Sequence, residues 1–304
     1  MSLKSIKSKI KATIRTSKVT KAMEAVSAVK MRKAQERALD GRPYAEAALR
    51  ILERVSHTND VQHHPLMSEH TEGKVAIIVV TSDKGLAGSL NTSVLKETYT
   101  LLKPLEQAAV ELICFGKKSY EHFTRRGYTV PLHFVNVSDD VALDDMEALV
   151  KFITTAFAEK RYRTVHIVYQ SFVSTFEQNA VARLILPLKS SALQEIVMGI
   201  VPKRGMYSDI AHEVKPQAYT VEPTQRAVYT SIFPMLIKVM AYHALLESKA
   251  SEHSARMVAM KNATDKAREV TQILTLAFNK ERQSVITAEV SEITGGIEAM
   301  KGSS

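Results

Sequence analysis

The distribution of glycine and proline constrains this chain more than any other feature. Residues 1–40 contain neither, residues 235–294 contain neither, and 17 of the 20 Gly and Pro residues fall between Gly41 and Pro234. These two residue types punctuate helices and mark turns, so the ends read as long helices and the middle as a turn-rich domain. At 1.5 Å per residue the C-terminal stretch spans roughly 90 Å and the N-terminal one roughly 60 Å. A compact domain of this size is only about 40 Å across, so helices of that length are expected to project beyond it. A projecting helix needs a partner over its apolar face.

The apolar pattern predicts a diluted coiled coil. Leu236, Met240 and Ala244 advance by fours; further on, Val258, Asn262, Lys266, Val270, Ile273 and Ala277 continue in steps of threes and fours, with Phe278 next to the last. Near the N-terminus Leu3, Ile6, Ile10 and Ile14 share one face, while Val19, Met23 and Val26 share another, nearly half a turn away. A simple two-stranded coil keeps one seam. Two faces predict that the helices also touch something outside the pair.

Between them the pattern alternates. Apolar runs at Val75–Thr81, Val110–Phe115, Thr129–Val135, Thr164–Tyr169, Val181–Leu186 and Gln217–Val221 read as strands. Helices are expected over Leu90–Leu102, Lys117–Arg126 and Leu143–Glu159, with Asp139, Asp140, Asp144 and Asp145 favourable near the N-terminus of the last. Strand–helix–strand order predicts an α/β fold with a mainly parallel sheet. Residues 56–73, with His63 and His64, read as a polar linker, and residues 198–215 as an exposed loop. Pro234 removes a backbone hydrogen bond and predicts a kink or a broken first segment in the C-terminal helix.

Charge is concentrated at one end. The first 55 residues hold 14 Lys and Arg against 5 acids, which accounts for the whole formal excess of +9. Such a segment calls for an acidic partner: nucleic acid, an anionic membrane surface or acidic protein loops. No aromatic residue occurs in residues 1–43, so a base-stacking platform is not visible there. Basic residues alternate with Ile6, Ile10, Val19 and Met23, which suits a helix held in a protein sleeve. No apolar run reaches the roughly 18 residues of a membrane span, and no secretory leader is legible. With Cys114 as the single cysteine, an intramolecular disulfide and a cysteine-based metal site are excluded. A cytoplasmic or matrix-like compartment is expected.

Catalytic signatures are weak. The loop Ser82-Asp83-Lys84-Gly85-Leu86-Ala87-Gly88 precedes a helix and could cradle a phosphate, but it lacks the G-x-G-x-x-G spacing, and no complete P-loop occurs. Gly116-Lys117-Lys118-Ser119 resembles half a P-loop, with Glu111 where the first glycine belongs. Tight βα turns explain both. His63 and His64 lack supporting ligands. Neither H-E-x-x-H nor G-x-S-x-G is present. No cofactor and no metal site are expected. A nucleotide-dependent enzyme using the Ser82–Gly88 loop and a basic coiled coil that binds nucleic acid stand as alternatives.

Three segments bear a family likeness. Lys18-Val19-Thr20-Lys21-Ala22-Met23-Glu24, followed by Ser27-Ala28-Val29-Lys30-Met31-Arg32-Lys33, resembles the T-K-A-M-x-x-V-[SA]-x-x-K-[ML]-[RK] segment of the gamma subunits of F-type ATP synthases. The stretches Ser251 to Asp265 and Asn279 to Ile293 resemble that family's most characteristic C-terminal signatures, and the likeness spans nearly the whole chain. The resemblance implies an antiparallel coiled coil of N- and C-terminal helices with a Rossmann-like α/β domain at its base. It divides the chain into an N-terminal helix (1–55), a linker (56–73), the α/β domain (74–221) and a C-terminal helix (222–304).

It also implies a rotor subunit with no catalytic site, enclosed by three alpha and three beta subunits and fixed to the epsilon subunit and the membrane c-ring. Such a subunit has no span of its own and no nucleic-acid partner. By the resemblance, Lys18, Lys21, Met23, Lys84, Arg256, Arg282, Gln283, Thr287, Glu289 and Glu292 face the alpha and beta subunits, and Tyr219 and Glu222 face epsilon and the ring. Ala87 and Ile297 depart from the usual pattern of the family, and no regulatory insert with paired cysteines is present. A bacterial origin, on the cytoplasmic face of the inner membrane, is the expected setting.

Overall fold

The computed structural model describes residues 2–40, 64–188 and 225–301. Helix α1 spans Leu3–Asp40. Strand β1 (Lys74–Val80), helix α2 (Leu90–Leu102), strand β2 (Val110–Phe115), helix α3 (Lys117–Thr124) and strand β3 (Leu132–Phe134) follow. Then come helix α4 (Glu147–Ala158), strands β4 (Tyr162–Phe172) and β5 (Gln178–Leu186), and helix α5 (Gln225–Lys301), which is 77 residues long. The expected strand at Gln217–Val221 and the expected loop at 198–215 lie outside the described residues, as do residues 41–55 of the expected N-terminal segment.

The five strands form one sheet in the order β3-β2-β1-β4-β5. Strands β1, β2, β3 and β4 are parallel, and β5 returns antiparallel along β4. The central strands are buried on both faces, which is why β1 and β2 read as unbroken apolar runs instead of alternating ones. Alternate β1 residues feed two cores. Ala76, Ile78 and Val80 meet α4 and the first turns of α5 through Leu149, Ile153, Phe157, Phe233, Ile237 and Met240. Val75, Ile77 and Val79 meet α2 and α3 through Val94, Leu102 and Phe123. The result is a three-layer α/β/α arrangement.

Contacts divide the described chain into two units, residues 27–256 and the pair 1–26 with 257–304. In the first, Gly116 is the position where only glycine fits. Its φ is +88°, and an added Cβ would lie 2.1 Å from the carbonyl oxygen of Thr81. The buried carboxylate of Glu111 is matched by Lys74 (2.9 Å), Arg161 (2.6 Å) and the Tyr162 hydroxyl (2.7 Å). Burial pushes this carboxyl up, but the three hydrogen bonds prevail and hold it below the usual range.

Several expectations need correction. The helix expected over Leu143–Glu159 starts with a 3₁₀ turn, Leu143–Met146, and becomes α-helical only from Glu147. Helix α5 runs unbroken through Pro234. Its neighbours Phe233, Leu236 and Ile237 are buried in the core, and that packing outweighs one missing backbone bond. His64 is not a solvated linker residue: its ring meets Phe233 edge-on at 4.6 Å, and its Nδ1 accepts the Leu66 N–H at 3.2 Å. Part of α5 is apolar and long enough to cross a bilayer by composition alone, but most of that window is buried inside the chain.

The second unit is the helix pair. Its seam keeps part of the one the large apolar residues predict, since Leu3, Ile6, Ile10, Val258, Val270 and Phe278 are buried or half-buried. One row of buried or half-buried positions runs through Leu3, Ile6, Ile10, Thr13, Ser17 and Thr20 on α1, and another through Met260, Thr264, Ala267, Thr271, Leu274, Phe278 and Glu281 on α5, with Met23, Val258 and Val270 half-buried beside them. Both sets follow the strict three-four heptad alternation. Ile14, Val19, Val26, Ile273 and Leu276 are exposed instead. Small hydroxyl residues let the backbones approach, and their polar atoms are satisfied locally. Thr13, Thr20, Thr264 and Thr271 each have the hydroxyl within hydrogen-bond reach of the carbonyl four residues earlier.

Candidate coupling surfaces

The helix pair sets the first surface. Thr20 and Thr264 touch across it, hydroxyl oxygens 2.6 Å apart. Seventeen residues before Thr20 is Leu3, where α1 begins; seventeen residues after Thr264 is Glu281. Burial on α5 ends at Glu281, as an antiparallel pair in this register requires. From Arg282 to Ile297 every residue is exposed. This tip nevertheless keeps Ile286, Val290, Ile293 and Ile297 at heptad spacing. It also carries the expected contact residues Arg282, Gln283, Thr287, Glu289 and Glu292, all exposed. On α1, Lys18 and Lys21 are exposed and Met23 is half-buried, with Lys21 paired to Glu24 at 3.0 Å.

The second surface lies at the C-terminal ends of the strands, within residues 27–256. A cavity of about 270 Å³ is lined by Lys30, Asp83, Lys84, Asp139, Glu252 and Arg256, among others. Lys84 is exposed. Arg256 is not: its guanidinium bonds Glu252 at 2.7 Å and the Gly85 carbonyl at 3.3 Å. This expected contact residue therefore holds the Ser82–Gly88 loop onto α5. Tyr219 and Glu222 lie outside the described residues.

The Ser82–Gly88 loop is tied to two neighbouring segments by its own carboxylate. Asp83 accepts the N–H groups of Lys117 (2.9 Å), Asn136 (2.9 Å) and Val137 (3.1 Å). The first of these is the opening amide of α3, so Asp83 occupies the place a phosphate would take at the Gly116–Ser119 turn. This arrangement supports the tight-turn reading of the Gly116–Ser119 loop over the nucleotide-site reading.

Sequence reasoning missed what surrounds Asp139. Read as a helix-start acid, it is a hub. Its carboxylate takes Lys30 Nζ of α1 at 2.6 Å and His253 Nε2 of α5 at 3.0 Å, with Lys249 Nζ at 3.7 Å. Burial alone would push the Asp139 carboxyl up; the Lys30 hydrogen bond and the surrounding cations overcome this and bring it to about 2. Arg37 donates to the Asp139 carbonyl at 3.0 Å and pairs with Asp140. Lys238 bridges Asp144 and Glu147, both at 2.9 Å. The only sequence hint was four acids between residues 139 and 145 in a chain whose N-terminal helix is basic.

One further buried cluster lies where α5 crosses the β4–β5 hairpin. His243 and Glu247 are fully enclosed, Nδ1 to Oε1 3.7 Å. Burial lowers the imidazole to about 3 and raises the carboxyl to about 7, the latter against hydrogen bonds from Ser171, Tyr169 and the Phe172 backbone and the charge of Arg183.

A sequence model of the ATP synthase family matches residues 2–300. The ATP synthase gamma chain of Pelotomaculum thermopropionicum is 36% identical over 300 residues, covering 99% of both chains. That of Burkholderia lata is 39% identical over 301 residues, covering 98% of this chain and 99% of the relative. The chain belongs to the gamma-chain family of the ATP synthases.

Solved structures agree with the assignment. The central stalk and c-ring structure of Tetrahymena thermophila mitochondrial ATP synthase contains a chain that aligns with a TM-score of 0.59 at 26% identity, covering 81% of this chain and 99% of that one. A chain in the Euglena gracilis mitochondrial enzyme shares the fold, with a TM-score of 0.64 at 18% identity over 98% of this chain and 94% of that one. As a gamma chain this protein is the non-catalytic rotor subunit, and turnover of ATP belongs to the complex.

Proposed function

We propose that this gamma chain turns as the central shaft of a bacterial F-type ATP synthase, peripheral to the cytoplasmic face of the inner membrane. The α5 tip and the adjoining helix pair are enclosed by three alpha and three beta subunits. The α/β domain is held by the epsilon subunit and the membrane c-ring. Residues 1–55 and 222–304 serve as the shaft, 74–221 as the base and 56–73 as the link between them. Ion flow through the ring turns the base, and the asymmetric faces of the shaft bias the head's three catalytic sites in turn.

The observation that carries this reading is the exposed tip. A single helix with apolar residues in heptad register and no covering chain is poorly stable in water and calls for a sleeve. Lys18, Lys21, Met23 and Lys84 would meet acidic loops of the head, and Arg282, Gln283, Thr287, Glu289 and Glu292 would exchange polar partners as the shaft turns. Arg256 would act by fixing the loop that presents Lys84. Tyr219 and Glu222 would meet epsilon and the ring.

Reconstitution tests the proposal. The purified chain, mixed with alpha and beta subunits from the same source, should form one complex with sustained ATP hydrolysis. Failure to assemble, together with nucleotide binding by the chain alone, would move the Ser82–Gly88 enzyme reading to first place.

A further inference from the structure

We propose that Asp139 is the residue through which the α/β domain grips both long helices, a positioning residue for torque transfer; this rests on the rotor reading. One carboxylate joins Lys30 of α1 to Lys249 and His253 of α5, residues 109 to 114 positions away in sequence. Arg37 adds a bond to the same residue's carbonyl.

The loop that carries Asp139 is itself fixed to the sheet. Asp83, just past the end of β1, accepts the amides of Asn136 and Val137, and Lys249 donates to the Val137 carbonyl at 2.9 Å. Asn136 is held at φ +56°. A continuous hydrogen-bonded path therefore runs from both helices, through Asp139 and its loop, to Asp83 and the ends of the parallel strands.

Apolar packing between α5 and the sheet also resists motion, but it is non-directional and tolerates sliding. Charge-assisted hydrogen bonds are directional, and this set acts on both helices at once. With the carboxylate gone, Lys30 and Lys249 would face each other without a shared counter-charge. A twist of the helices would then reach the base with slack.

The test uses the complete ATP synthase in liposomes, carrying wild-type, Asp139→Asn, Asp139→Glu or Lys30→Ala gamma chains. ATP hydrolysis and ATP-driven ion pumping are measured on the same preparation, and the thermal transition of each purified chain is recorded beside them. Asp139→Asn should hydrolyse ATP at the wild-type rate yet pump at least roughly twofold fewer ions per ATP. Lys30→Ala should shift the ratio the same way by less, and Asp139→Glu should restore it. A merely structural role would lower the melting temperature and leave the ratio of assembled complexes unchanged, and that result overturns the proposal. If Asp139→Asn does not assemble, Lys30→Ala decides, and a wild-type ratio there refutes the clasp. A wild-type complex that hydrolyses without pumping would instead contradict the rotor reading itself.

Discussion

Thr20 and Thr264 meet with their hydroxyl oxygens 2.6 Å apart, buried between two helices that the chain separates by 244 residues. One hydroxyl donates across the seam and the other back to its own helix, since each also lies within reach of a carbonyl one turn earlier. The helices are thus held close by small polar side chains whose hydrogen bonds are complete, while several larger apolar residues stay outside.

This seam predicts an inverted order of mutational effects. Thr264→Asp should cost on the order of 3 kcal/mol, because it buries a carboxylate without a partner. Ile273→Asp, at a position 57% exposed, should leave the thermal transition nearly unchanged, and Val270→Asp, half-buried, should fall between them. Replacing both threonines by valine should be neutral or stabilising, since both polar partners are removed together. Melting curves of the four variants, followed by circular dichroism, check the order. Equal losses at Ile273 and Thr264 would return the seam to the large apolar residues.

Glu247 predicts a pH dependence. Its carboxyl is raised to about 7 in the folded chain, so between its ordinary value near 4.5 and that point the folded state binds more protons than the unfolded one. Glu247's own contribution to stability should therefore fall as pH rises through that window, while the neighbouring His243, lowered to about 3, contributes the opposite slope up to its ordinary value near 6.5. Glu247→Gln keeps the shape and removes the titration. The stability of the variant relative to wild type should grow from pH 5 to 8, since that difference isolates the Glu247 titration from the opposite slope of His243. Denaturant unfolding across that range measures it, and parallel profiles for the two proteins would contradict the assignment.

The exposed tip predicts a separation of folding from coupling. A chain ending before Thr287 should keep the thermal transition of its α/β domain, because residues 282–297 contribute no buried side chain. In the assembled complex the same truncation should weaken coupling of hydrolysis to ion pumping. Loss of the domain's transition would show that the tip has a role in folding.

Much of the fold was legible because its signals are local. Two stretches without Gly or Pro marked both long helices, and the β-branched run at Val75–Val80 marked the central strand, whose double burial removed any alternation. Helix α2 was expected at Leu90–Leu102 and lies there. The seam was legible only where it is apolar, at Leu3, Ile6, Ile10 and Phe278; Thr13, Ser17 and Thr20 occupy the interior by being small, and a pattern read from large apolar residues passes over them. Asp139 was not legible. Its proximity to Asp144 and Asp145 suggested one helix start, but Asp145 alone caps that turn, bonding the Ala142 amide at 2.8 Å. Asp139 serves residues brought together only by the tertiary fold. The bond from Arg256 to the Gly85 carbonyl was not legible either, because only the tertiary fold brings residues 171 apart together.

Rotation tests the central claim most directly. A bead fixed to the α/β domain of this chain, in a complex whose alpha and beta subunits are anchored to a surface, should turn in one direction when ATP is added and stop when ATP is removed. Sustained ATP hydrolysis by such complexes with the bead fluctuating about a fixed position would contradict the account.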